Sequence, residues 1–206
     1  MSLPPITQPT KDNTNGLILA GGRSTRFYNQ DKAFLSYKNT TLVEHAIEQL
    51  REQTSSIKVS ANRHLEFYKE RNIDYIEDKI EGYAGPLAGV HAALADSNQP
   101  WLACIACDTP CFPNDYVARL SKAAAKNDSL IAVARSQDRL QNISMLIHQS
   151  LFDSLDKYLN AGERKVQLWL ETLKPSIVDF NEPSHAFFNV NTPEQLQQLE
   201  KLNCDK

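Results

Sequence analysis

The chain has 206 residues, 41% of them hydrophobic and 23% charged, with a formal charge of -3. That length supports one substantial core, and the balance is that of an ordinary soluble globular protein. A weakly acidic chain gives no electrostatic case for nucleic acid or an anionic membrane surface, and no run is apolar enough to span a bilayer, so neither is expected as a partner.

In chain order, residues 1–15 carry Pro4, Pro5 and Pro9 among polar neighbours and lack an apolar h-region. They are expected to form a disordered lead and not a secretion signal, which places the protein in the cytoplasm with residues 16–206 as a single domain. Gly16–Ala20 then reads as a buried strand that runs straight into Gly21-Gly22. Missing side chains at such a turn let backbone N–H groups close on an anion, and Arg26 and Lys32 add mobile positive charge at the same mouth. The segment is not a Walker loop, because no Gly-Lys-Ser/Thr triplet closes it. It also lacks the third Gly of the dinucleotide fingerprint, with Arg26 and Phe27 nearby instead.

Further strands are predicted at Ile57–Ala61, Ile73–Ile76, Trp101–Cys107, Leu130–Ala134, Ile143–His148 and Ile177–Phe180. Between them Leu42, Ala46, Ile47 and Leu50 recur at helical spacing behind a capping box of Thr41 with Glu44. Other helices are expected at Pro86–Ala95, Asn114–Lys126, Leu151–Leu159 and Arg164–Leu173. A last one is capped by Thr192, opened by Pro193 and boxed by Gln195. This alternation predicts an α/β fold of three αβα layers around a mostly parallel, Rossmann-like sheet, whose ligands bind beyond the carboxyl ends of the strands.

Asp108 stands at the tip of the apolar run Trp101–Cys107, well before the next helical pattern. A carboxylate there has no packing role, and it suits a Mg²⁺ ion held against phosphate oxygens. Asp78 ends another strand and can accept from a ribose or a base edge. Gly82, Gly85 and Gly89 surround a helix start, either to let a second phosphate-bearing group approach or to pack the helix closely on the sheet. His64, His91 and His148 stand without partners at ligand spacing and are expected to be structural. Among the four cysteines, Cys104, Cys107 and Cys111 lie close together without a second ligand pair, so zinc is not expected.

Together these segments resemble the molybdenum cofactor guanylyltransferases, over nearly the whole chain after the lead. The resemblance rests on Leu19-Ala20-Gly21-Gly22 with Arg26 and Asp31-Lys32, on Ala61-Asn62-Arg63, on Ile76-Glu77-Asp78 and on Gly85-Pro86-Leu87-Ala88-Gly89. It also rests on Cys107-Asp108-Thr109-Pro110 and Phe188-Asn189-Val190-Asn191-Thr192-Pro193. What narrows it to this family is the combination with Asn62-Arg63-His64, Ala161-Gly162-Glu163-Arg164-Lys165-Val166 and the Asn189/Asn191 pair.

The resemblance implies a nucleotidyltransferase-type sheet that moves GMP from GTP to molybdopterin. Leu19, Ala20, Gly21 and Gly22 would wrap the nucleotide, Lys32 and Asp78 would contact it, Gly85 would flank it, and Asp108 would be the Mg²⁺ ligand. The family's guanine-side Asn aligns with Ser60 here, which leaves that contact to Ser60 or to Asn62. Asn189 and Asn191, with the Gly162–Lys165 turn, resemble the face that receives the pterin. Arg26 and Lys32 would offset charge on leaving pyrophosphate. Molybdenum-insertion and molybdoenzyme chaperone proteins follow as possible partners. Two departures touch the mouth: Tyr28-Asn29 where the family carries Gly, and Gln141-Asn142 where it carries His-Pro. They keep open a non-catalytic nucleotide- or cofactor-binding protein, beside the enzymatic alternative of a sugar- or polyol-phosphate nucleotidyltransferase.

Overall fold

A computed structural model describes residues 7–21, 31–80 and 85–202. Its main sheet has seven strands: β1 (Thr14–Leu19), β4 (Ser56–Ser60), β5 (Tyr75–Ile76), β6 (Trp101–Ala106), β7 (Ile131–Ser136), β8 (Arg139–His148) and β9 (Ser176–Asp179). A separate hairpin of β2 (Ser36–Tyr37) and β3 (Thr40–Thr41) precedes the first helix. The sheet order is β5-β4-β1-β6-β8-β7-β9. β8 runs antiparallel to both β6 and β7, and the other pairs are parallel.

Among the described residues, seven α-helices accompany the sheet: α1 (Leu42–Arg51), α2 (Leu65–Glu70), α3 (Pro86–Asp96), α4 (Tyr116–Lys126), α5 (Phe152–Asn160), α6 (Val166–Leu173) and α7 (Pro193–Lys201). Side chains alternate across each strand, which sorts the core into two layers. Ile18, Ala103 and Ile105 face α1, α2 and α4, whereas Leu17, Leu19, Leu102 and Cys104 face α3, α5 and α6. The predicted three-layer αβα sheet is what the chain forms.

A third cluster decides the geometry of the site. Leu35, Tyr37 and Leu42 from the β2–β3 region pack with Cys111, Val190 and Leu199. Full burial stabilises such side chains by roughly 1.5–3 kcal/mol each. The cluster therefore ties the segment after Lys32 to the segment before Asn191, although 159 residues separate the two.

Some expectations need correction. Residues 7–15 are not a disordered lead: Pro9 is buried, Trp101 Nε1 donates to the Thr7 carbonyl at 2.8 Å, and β1 already begins at Thr14. β7 and β8 extend beyond the predicted runs and meet in a two-residue turn. Gln137 and Asp138 there adopt φ values of 49° and 58°, the left-handed pair that a tight hairpin requires. The Thr41/Glu44 capping box forms as predicted. At α7 the Thr192 hydroxyl accepts from Gln195 N, but the Gln195 side chain reaches one residue further back, to Asn191 N at 2.7 Å.

The three histidines have structural partners. His91 Nε2 lies 2.9 Å from Asp156, His148 Nδ1 lies 2.8 Å from the Ser150 hydroxyl, and the His64 ring packs edge-on against Phe34.

Candidate functional site

The direction of chain growth across the sheet reverses between β1 and β6. Strands β4 and β5 are added on one side of β1, and β6 with its neighbours on the other. In open α/β sheets this switch point opens a crevice at the carboxyl ends of the two strands. A cleft of about 410 Å³ lies there, walled on one side by Leu19–Gly21 and on another by Ala106–Thr109. Gln141–Ser144, Asn189, Pro86, Asp31 and Lys32 complete the described lining.

Lys32 sits at the start of a short 3₁₀ turn, Lys32–Phe34, capped by the Asp31 carboxylate accepting from Ala33 N at 3.3 Å. The other Asp31 oxygen pairs with Arg63 at 3.1 Å. So anchored, Lys32 Nζ donates to Asn191 Oδ1 at 2.6 Å and lies 3.2 Å from Asp108 Oδ2. Asn191 Nδ2 in turn donates to Asn189 Oδ1 at 2.7 Å, and Val190 N donates to the Asp108 carbonyl at 2.8 Å. Lys32, Asp108, Asn189 and Asn191 thus form one connected group. Their positions in the chain gave no hint of the hydrogen bonds that join them.

Asp108 is no helix cap, since α4 starts only at Tyr116. Its carboxylate is one-fifth exposed, and among the described residues its one hydrogen-bond donor is Lys32. Among those residues no cluster of three or more His, Cys, Asp or Glu side chains could hold a metal ion. A single acidic ligand fits a hard cation such as Mg²⁺, which keeps its waters and shares phosphate oxygens with a substrate. It does not fit zinc. Cys107 lines the same cleft, and burial pushes its thiol well above its usual range, with Asp108 and Asp31 adding to the effect and Lys32 opposing it. A neutral thiol of this kind is not a nucleophile.

On the other flank, Asn62 Nδ2 donates to Asp78 Oδ2 at 2.8 Å while Asp78 N donates to Asn62 Oδ1 at 2.9 Å. The second carboxylate oxygen, Asp78 Oδ1, is buried without a hydrogen-bond partner among the described residues. Asn62 lies beside Gly21, where an added Cβ would meet its amide at 3.6 Å. Ordinary packing would therefore tolerate a Cβ at Gly21.

The Ser60 carbonyl accepts from Ala20 N at 3.0 Å at the edge of the cleft wall, while its side chain turns the other way. It is buried under α3, where a Cβ on Gly89 would come within 2.3 Å of its hydroxyl. Gly89 therefore serves close packing of helix on sheet, the second of the two readings offered for it. Gly85 has φ +68° at the start of α3, a conformation that favours glycine.

The Gly162–Lys165 turn lines neither this cleft nor its neighbour, and Arg164 folds back to donate to the carbonyls of Leu159 and Glu163, both at 2.7 Å. Gly22, Arg26, Tyr28, Asn29 and Gly82 lie outside the described residues. Asp31 and Thr109, quoted in the motifs above without a role of their own, line the cleft, as does Ser144, which was not singled out. Asp31 could have been found from its place next to Lys32 as a turn cap; Thr109 and Ser144 carry no comparable signal.

Comparison with known proteins agrees with this geometry. The family model described as MobA-like NTP transferase domain matches residues 16–176. A curated relative from Shewanella halifaxensis, named molybdenum cofactor guanylyltransferase, is 39% identical over 185 residues, 90% of this chain and 92% of its own. Among solved structures, the molybdopterin-guanine dinucleotide biosynthesis protein A of Archaeoglobus fulgidus superposes with a TM-score of 0.73 at 22% identity, covering 91% of this chain and 97% of that one. A manganese complex of a Mycobacterium tuberculosis protein has a TM-score of 0.67 at 17% identity, covering 93% of this chain and all of that one. These two structures share the fold, and the sequence match carries the relationship further. With its switch-point cleft and this degree of identity over nine-tenths of its length, the chain belongs to the molybdenum cofactor guanylyltransferase family of MobA-like NTP transferases.

Proposed function

We propose that the protein transfers GMP from GTP to the terminal phosphate of molybdopterin, releasing pyrophosphate and giving the guanine dinucleotide form of the cofactor. The observation that carries this reading is the Lys32–Asp108–Asn191 group at the switch point, one cation and one carboxylate held together beside the carboxyl ends of β1 and β6. The name borne by the relatives supplies the substrate pair. A phosphate monoester oxygen of the acceptor forms the new bond to the α-phosphorus, and the bond from that phosphorus to the bridging β-oxygen breaks. Such a monoester is already a nucleophile, so no side chain need act as a strong base.

The residues then align and offset charge. Leu19, Ala20 and Gly21 border the phosphates, and Lys32, steadied by Asn191, balances charge on the leaving group. Asp78 presents its unpartnered oxygen to the guanine N–H groups, with Asn62 holding the carboxylate still. Asp108 would hold a divalent cation, Mg²⁺ in our reading, which would supply charge neutralisation to the phosphates. Asn189 faces the acceptor.

The test is the fate of label. With GTP labelled at the α-phosphorus, the label should enter the molybdopterin product, and with γ-label it should appear in pyrophosphate. Orthophosphate release from γ-label, or no transfer of α-label, would contradict the proposal. A cytidylyl transfer to a sugar or polyol phosphate predicts α-label transfer from CTP instead.

A further inference from the structure

In the chain, Arg63 follows the base-side Asn62 and Asp31 precedes the phosphate-side Lys32. In the fold the two outer residues meet: the Arg63 guanidinium donates to Asp31 Oδ2 at 3.1 Å. We propose that Arg63 and Asp31 are positioning residues that couple recognition of the base at Asp78 to the placement of Lys32 against the phosphates. The proposal rests on the guanylyl transfer and the base contact given above.

The segment that carries Arg63 is short and held on both sides. It leaves β4 at Ser60, Ala61 N donates to the Ile76 carbonyl at 3.0 Å, and Asn62 exchanges its two hydrogen bonds with Asp78. His64 then takes φ 54° and ψ 36°, a left-handed conformation that few side chains adopt, and caps α2. Its ring meets Phe34 edge-on, with centroids 5.2 Å apart. With one neighbour fixed to Asp78 and the other packed on Phe34, Arg63 has little freedom in where it meets Asp31.

The Asp31 side chain is nine-tenths buried, although its partner is half-exposed. One carboxylate oxygen takes the guanidinium, the other accepts from Ala33 N at 3.3 Å, and the Asp31 carbonyl accepts from Phe34 N at 3.1 Å. Lys32 lies inside these bonds, so Asp31 sets its backbone. From there Lys32 Nζ reaches Asn191 and Asp108. The contacts run without a gap from Asp78 through Asn62, Arg63, Asp31 and Lys32 to Asp108.

Stability does not account for the pair. A half-exposed ion pair contributes little to folding, and Phe34 already fastens the turn through Phe67, with centroids 4.6 Å apart. An asparagine at position 31 could still cap the turn. What the carboxylate and guanidinium add is a directional link between two receptors whose ligand groups arrive on one molecule. Binding energy from the base, remote from the reacting phosphorus, is then spent on placing the cation and appears in kcat.

The experiment compares GTP with inosine triphosphate, which lacks the 2-amino group and offers Asp78 one N–H fewer. Pyrophosphate release is followed on the full chain at saturating molybdopterin, and nucleotide Kd is measured by calorimetry. In the parent, kcat with GTP should exceed that with inosine triphosphate by about tenfold, since a slightly misplaced group costs a decade or more. Arg63→Ala and Asp31→Asn should each lower kcat with GTP to about the inosine triphosphate level. The GTP Kd should stay within about threefold and the melting temperature should not move. The double variant should be no slower than either single one, and Arg63→Lys should recover part of the loss. Parent-like kcat in the folded variants, losses that keep the GTP preference, or losses that simply add would each overturn the proposal. A parent that prefers GTP in Kd alone overturns the coupling and leaves the base contact standing, whereas indifference in both kcat and Kd overturns the two together. No molybdopterin-dependent release from the parent overturns the transfer reaction and the coupling with it.

Discussion

The two walls of the cleft are made of unlike material. Leu19–Gly21 and Ala106–Thr109 leave parallel strands buried on both faces, so their positions follow from the sheet itself. Gln141, Asn142 and Asn189 belong to a hairpin extension and an irregular segment shaped by left-handed residues at Gln137, Asp138 and Phe187. The first wall is fixed by burial and the second by local backbone conformations, several of them uncommon for the residues that adopt them. The strand-end wall thus places phosphate chemistry where any fold of this kind would put it. The loop wall is where one such protein can differ from another in what it accepts.

The comparison is broken most directly at Asp108. Asp108→Asn should cut turnover by at least about a hundredfold, since a neutral amide is a far weaker ligand for a hard cation, while thermal melting stays near that of the parent. Near-normal kcat at limiting Mg²⁺ in the folded variant would remove Asp108 from its role.

Lys32 tests whether the two walls act together. Lys32→Ala should lower kcat more than Lys32→Arg. Asn191→Ala should lower it by about tenfold, equivalent to the roughly 1.4 kcal/mol that accompanies a lost positioning contact. Steady-state kinetics with unliganded melting curves checks both. A fall in stability with unchanged kcat would make the pair structural.

On the strand-end wall, Gly89→Ala should destabilise by about 1–3 kcal/mol, because its Cβ meets the Ser60 hydroxyl at 2.3 Å and Leu19 Cδ2 at 2.7 Å. Adding Ser60→Gly should restore part of that in denaturant unfolding. Ser60→Ala alone should leave GTP affinity within about twofold. A large loss would return Ser60 to the base contact that its alignment suggested.

The smallest effect expected is one of pH. Burial raises the thiols of Cys104 and Cys107, so the native state keeps protons that the unfolded chain loses above its ordinary thiol pKa of about 8.5. Their contribution to stability is complete below that pH and is lost as pH rises further. Melting temperature in alkaline buffer should therefore fall less for Cys104→Ala, relative to its own value at pH 7, than for the parent. An identical pH slope would contradict this.

All seven strands of the main sheet were legible, because each is an apolar run bounded by polar turns. The start of α1 was legible to the residue from its capping box. The β2–β3 hairpin was not, since two residues per strand carry no period and its turn at Lys38-Asn39 lacks glycine. α2, of six residues, was equally faint. The β7–β8 extension was hidden by Gln137-Asp138, an unusual pair for left-handed backbone, and by the irregular register between Val133 and Arg135. Asp108 and Lys32 could each be named from the sequence. That Asn191 joins them depends on Leu35, Tyr37, Val190 and Leu199 packing together, a long-range contact that no local pattern encodes.

The most direct test of guanylyl transfer is pyrophosphate release from each of the four ribonucleoside triphosphates, with and without molybdopterin, at saturating Mg²⁺. The account predicts release that requires molybdopterin and is fastest with GTP by at least about tenfold. Release that is independent of molybdopterin, or faster with CTP than with GTP, would contradict it.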